Sequence, residues 1–136
     1  MKVLVDTSVW SLVLRRNEPN DIAIRLSDLI FDNLVVIIGP IRQELLSGIS
    51  DKNVFNNLRS KLQAFNDMPI TSRDYETAAE YYNTCRKHGV QGSHTDFLIC
   101  AVASNNKLLI YTTDQDFQLY ARHLPIQLFD TDVFRH

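Results

Sequence analysis

The chain has 136 residues, of which 45% are hydrophobic and 22% charged, with a formal net charge of −2. That size fits a single domain over residues 1–136; the longest apolar run, "LVVIIGPI", is far too short to span a bilayer, and no basic-then-apolar leader precedes the first strand. The charge neither announces nucleic-acid binding nor excludes it, because positive charge can gather locally, and the two cysteines, Cys85 and Cys100, are too few for a disulfide framework and read as reduced residues of a cytoplasmic protein.

Residues 2–6 read as a short buried strand that stops at Asp6, followed at once by Thr7 and Ser8. Ser8 is placed to cap the helix of "SVWSLVLRR". "EPNDIAIRLSDLIFDN" sets Ile22, Leu26, Leu29 and Ile30 at helical spacing, with Asp21 in the first turn. "LVVII" (34–38) is a second buried strand ended by Gly39 and Pro40, and Pro40 suits the first turn of a helix through "IRQELLSG". A helix over 52–65 carries Val54, Leu58, Leu62 and Phe65 on one face, and "MPI" reads as a third, short strand. "SRDYETAAEYYNTCRKHG" is a long helix with Ser72 as cap and Gly89 as stop. "HTDFLICAVAS" is a buried helix, "KLLIYTT" a fourth strand, "DQDFQLYARH" a short helix and "IQLFD" a final strand. Strand and helix alternate throughout, which predicts an α/β three-layer sandwich: a central parallel sheet flanked by helices on both faces.

In such a sheet ligands bind outside the carboxyl ends of the strands. Strand one ends at Asp6. Glu44 stands about one turn into the helix after strand two. The fourth strand ends in Thr112 and Thr113, then Asp114 and Asp116, and Asp96 lies in the first turn of the helix that feeds that strand. Carboxylates held together repel, and a protein tolerates this mainly with a cation between them. Oxygen donors without paired His or Cys suit Mg2+ or Mn2+ better than Zn2+. Such an ion, with waters and phosphate oxygens around it, suits phosphodiester hydrolysis. Taken singly, each acid has an ordinary reading: Asp6 as a cap, Glu44 as a solvated helix residue, Asp96 beside the Ser93 cap, Asp114 and Asp116 as helix initiators.

Four stretches, "VLVDTSVW", "IRQELLSG", "HGVQGSHTDFLICAVA" and "LIYTTDQDF", together resemble PIN-domain ribonucleases, in particular VapC-type toxins of toxin–antitoxin pairs, from residue 2 to about 129. The resemblance implies that Asp6, Glu44, Asp96 and Asp114 form an acidic metal site, with Asp116 as an accessory acid. Ser8 matches the small polar position after the first acid, and Thr112 and Thr113 the hydroxyl-bearing strand end. It implies a PIN-like fold, Mg2+- or Mn2+-dependent endoribonuclease activity on RNA such as transfer RNA, a homodimer, and a toxin–antitoxin hetero-oligomer with a small antitoxin. His94 and Cys100 depart from the pattern without removing a carboxylate.

A receiver-like Mg2+-binding signalling domain wants an acidic pair after strand one and a Lys after the last strand; here only Asp6 follows strand one and "IQLFDTDVFRH" supplies no Lys. A phosphotransferase with D-x-D after strand one fails on "DTS". A catalytically inactive PIN-fold binding module is the remaining alternative, and the retained acids argue against it. Arg15, Arg16, Arg42, Arg86, Lys87 and His88 are candidates for phosphate contact. Trp10, Tyr81 and Tyr82 are candidates for stacking on bases or for packing in a core or dimer interface.

Overall fold

In the computed structural model, residues 1–15 and 20–129 are described. The elements run β1 (Val3–Val5), α1 (Thr7–Arg15), α2 (Asp21–Phe31), β2 (Val35–Val36), α3 (Gly39–Leu46), α4 (Lys52–Leu62), α5 (Ser72–Lys87), α6 (His94–Asn105), β3 (Leu109–Tyr111), α7 (Asp116–Ala121) and β4 (Gln127–Leu128). The four strands form one parallel sheet in the order β2-β1-β3-β4. All three residues of β1 are buried. A strand of uniformly apolar Val and Leu buries both its pleat directions only when helices cover both faces, so the pattern and the layering have one cause.

The sheet explains where the sequence reading was long or short. "MPI" makes no strand of its own; a single parallel bridge joins Ile37 to Asp67, and Met68 N donates to Ile37 O at 2.8 Å. Pro69 has no N–H with which to extend that pairing. The cap of α5 is Thr71 rather than Ser72: its hydroxyl accepts from Asp74 N, while the Asp74 carboxylate accepts from Thr71 N at 2.9 Å. Helix α1 starts at Thr7, which puts Ser8 inside its first turn instead of at its cap. Arg16 and Asp130, and the side chain of Arg15, lie outside the described residues.

Helix α6 is the centrepiece of the core. Phe97 through Ala103 are all buried, because α6 packs against α5 on one side and β3 on another. Ser93 caps it, accepting from Asp96 N at 3.0 Å. Gly89 ends the α5 region with φ 75°, a left-handed conformation that costs glycine little. Among the described residues no helix is long and apolar enough to cross a membrane.

Candidate active site

Asp6 is the hinge between the first strand and the first helix. Its N–H donates to Tyr111 O at 2.9 Å, which closes the β1–β3 ladder, and its carbonyl accepts from Val9 N at 3.1 Å, which opens α1. The chain therefore cannot move Asp6 without breaking sheet or helix. Its side chain is buried, at 6% exposure. Oδ2 accepts two hydroxyl protons, from Ser8 at 2.8 Å and from Thr112 at 2.9 Å. Both hydroxyls having given their proton to the carboxylate, they accept from the backbone: Thr113 N donates to Ser8 Oγ and Asp114 N to Thr112 Oγ1, each at 3.0 Å. Ser8 and Thr112, 104 positions apart, thus tie the end of β1 to the loop after β3.

That loop carries Asp114, half-buried, whose Oδ1 accepts from Asp116 N at 2.9 Å. Asp96, also half-buried, comes from the first turn of α6 and accepts at Oδ2 from the Tyr120 hydroxyl at 2.8 Å. Glu44 comes from α3 and is exposed. Asp6, Asp96 and Asp114 thus share one pattern: one carboxylate oxygen is pinned by a neutral donor, and at Asp96 the Ser93 hydroxyl lies close to the carboxylate as well.

The acids sense one another. Partial desolvation raises the Glu44 carboxyl above the ordinary carboxylate range, and Asp6 and then Asp96 push it further. The Thr7 hydroxyl partly offsets this, although it is buried and outside hydrogen-bonding geometry. Burial raises Asp96 as well; the Tyr120 and Ser93 hydroxyls oppose it, and Asp6 and Asp114 add to it. Burial and the Asp96 carboxylate hold the Tyr120 phenol protonated, so it is the donor in that pair. Among the described residues no basic side chain pairs with the group, and Arg42–Asp67 is the one ion pair. Nor do three His, Cys, Asp or Glu side chains stand close enough, among the described residues, to grip an ion as they are.

The structure therefore brings Asp6, Glu44, Asp96 and Asp114 to one rim, with Ser8, Thr112 and Thr113 knitting it. Asp116 is exposed, and it reaches the group through its backbone N–H. Tyr120 was invisible in the sequence, because neither its period nor its spacing to Asp96 marks it. Arg42 is a structural residue: besides its ion pair to Asp67 it donates to Leu62 O at 3.0 Å and Phe65 O at 2.6 Å, closing the carboxyl end of α4. Trp10 is buried against Phe65, so it packs in the core. His94 is exposed and stacks on Tyr82 at 5.2 Å. Beside Glu44 a cavity of about 520 Å³ opens between α1, α3 and α4, bordered by Ser11, Leu14, Val54 and Lys61.

A parallel α/β sheet with acids after its first strand, in the helix after its second and after its third defines a class of domain whose acidic centre sits at the strand ends. The PIN domain model matches residues 3–123, and the chain belongs to that family. In fold it is similar to FitAcB from Neisseria gonorrhoeae, at 23% identity and a TM-score of 0.76, over 94% of this chain and 96% of the other. It is likewise similar to VapBC2 from Rickettsia felis bound to a DNA fragment from their promoter, at 16% identity and TM-score 0.77, over 96% and 98% of the two chains. A toxin–antitoxin complex from Klebsiella pneumoniae matches at 18% identity and TM-score 0.64, over 85% and 90%.

Proposed function

We propose that this chain is a VapC-type toxin, a single PIN domain that hydrolyses RNA phosphodiester bonds with Mg2+ or Mn2+. The observation that carries the reading is the set of coupled acids at the rim, three of them with one oxygen pinned, and with no basic side chain paired to them among the described residues. Such a set is unfavourable without a cation. The donors fit a hard divalent ion in type and charge: oxygens only, with no thiolate or imidazole. Asp6, Asp96 and Asp114 are the residues to hold it, with Glu44 beside them and Asp116 as an accessory. When bound, the ion supplies a Lewis acid that acidifies a water and offsets charge on the phosphate. Asp6, fixed by Ser8 and Thr112, anchors the site. Glu44, on α3 beside these aspartates, is placed to act as the base.

Neighbours in fold include a toxin–antitoxin complex, which supports an antitoxin as partner. The cavity that Glu44 borders offers an antitoxin segment a docking place at the edge of the rim. We extend the reading to a homodimer in a toxin–antitoxin hetero-oligomer and to action in the cytoplasm, in keeping with two unpaired, buried cysteines. The test is cleavage of an RNA panel that includes transfer RNAs. Wild type should cleave with Mg2+ or Mn2+ and stop with EDTA, and Asp6→Asn, Glu44→Gln, Asp96→Asn and Asp114→Asn should each lose most activity while staying folded. A folded wild type that cleaves nothing with either metal would favour an inactive PIN-fold binding module.

A further inference from the structure

Tyr120 lies outside the four sequence motifs and Gly92 stands within one of them without an assigned role, yet both close on Asp96. Tyr120 lies in α7 and is fully buried. Its ring packs at 4.9 Å from Phe97 and 5.1 Å from Phe117, while its hydroxyl reaches Asp96 Oδ2 at 2.8 Å. A buried phenol needs an acceptor. The acceptor it has is one oxygen of a carboxylate on another helix, 24 residues away. Gly92 shows that the surrounding loop is shaped to this bond. A Cβ there would fall on the Tyr120 hydroxyl, 2.8 Å from its Cζ and 3.0 Å from Phe97 Cε2. Only Gly48 and Gly89 are glycines with positive φ, so the backbone does not demand glycine at 92; the approach of the phenol does.

The geometry points to Tyr120 as a positioning residue that pins Oδ2 of Asp96 and leaves Oδ1 as a fixed donor toward a divalent cation, with Gly92 providing the room. The inference rests on the metal-centre reading above. The final torsion of a carboxylate is soft and broad, so an unpinned Asp96 samples many orientations. One short hydrogen bond from a rigid, packed ring removes that freedom before the ion arrives. Residues that orient a metal ligand in this way cost about 10–100-fold in metal affinity when removed. Phe in place of Tyr keeps the ring packing and deletes only the hydroxyl.

Titration of Mn2+ into metal-free protein, with free Mn2+ read by electron paramagnetic resonance, tests this. Wild type should bind, Asp96→Asn should not, and Tyr120→Phe should bind about 10-fold or more weakly. Gly92→Ala should weaken binding as well. The double variant should be no weaker than the worse single one, because both changes break the same bond. RNA cleavage by Tyr120→Phe should recover as Mn2+ is raised, which a merely loosened fold does not do. If folded Tyr120→Phe binds Mn2+ like wild type while Asp96→Asn does not, the positioning role is wrong and the metal centre stands. If wild type binds no Mn2+, both the centre and the role fail. Should Tyr120→Phe fail to fold, the same comparison is made with Gly92→Ala, and wild-type affinity there overturns the inference.

Discussion

At the scale of single residues the acids carry opposing demands. Asp96 and Glu44 have pKa values raised in the folded chain, by burial first and by their neighbours after it. A carboxyl raised on folding makes the native state bind more protons than the unfolded one. Its penalty is absent below the unfolded value, grows as pH rises through the window up to the folded value, and is full at neutral pH. Metal-free Asp96→Asn should therefore melt above metal-free wild type at neutral pH, and the gap should close as pH falls into the ordinary carboxylate range. Millimolar Mn2+ should reverse the order, because the ion binds native wild type and stabilises it by mass action. Melting curves of both proteins, with EDTA and with Mn2+, check this; a mutation that lowers the metal-free midpoint, with a wild-type midpoint that ignores Mn2+, would show that these acids share no site. The four acids were legible in the sequence because Asp6 and Asp114 follow strands, Asp96 opens a helix and Glu44 stands about one turn into the helix after the second strand. Their clamp was legible only in part. Ser8 read both as a helix cap and as a hydroxyl that orients the site; the second role holds, through its bond to Asp6, and the first does not, because α1 already starts at Thr7. Its partner Thr112 is set by the β1–β3 pairing, which no local pattern encodes.

Elements show where local pattern met tertiary context. The alternation of apolar strands with capped amphipathic helices was readable, and the parallel sheet follows from it. Boundaries shifted by one residue where two hydroxyls compete for a cap, as at Thr71 and Ser72. Arg42 is the instructive miss. An arginine on a helix beside an acidic rim reads as a phosphate contact, yet its guanidinium is already engaged by Asp67 and by the carbonyls of Leu62 and Phe65. Removing it strands two carbonyls at the end of α4 and leaves Asp67 without its cation. Arg42→Ala should cost about 1–3 kcal/mol, a drop of several degrees in Tm, with the KM for RNA unchanged. A raised KM at an unchanged Tm would restore the phosphate-binding reading.

Over the whole molecule, a net charge of −2 hides a division of sign. The acids gather at the strand-end rim, while Arg86 and Lys87 are exposed in the last turn of α5 and His88 follows as its C-cap. His88 stacks on His123 at 4.2 Å, so the end of α5 meets the segment after α7, which also carries exposed Arg122. One turn back, Tyr82 stacks on His94 at the head of the helix that holds Asp96. A basic, aromatic-edged corner therefore abuts the acidic rim, the arrangement that lets a polyanion lie across the surface while one phosphate reaches the acids. If RNA is the substrate, replacing both Arg86 and Lys87 with Ala removes two cations from the phosphate path without touching the acids. KM for RNA should rise and kcat should change little, since these cations bind ground and transition states alike. The dependence of binding on salt should flatten by about 0.7 in log–log slope for each phosphate no longer neutralised on single-stranded RNA. Cleavage kinetics and fluorescence anisotropy across a salt series measure both quantities, and an unchanged slope with an unchanged KM would place the RNA path on another face of the protein.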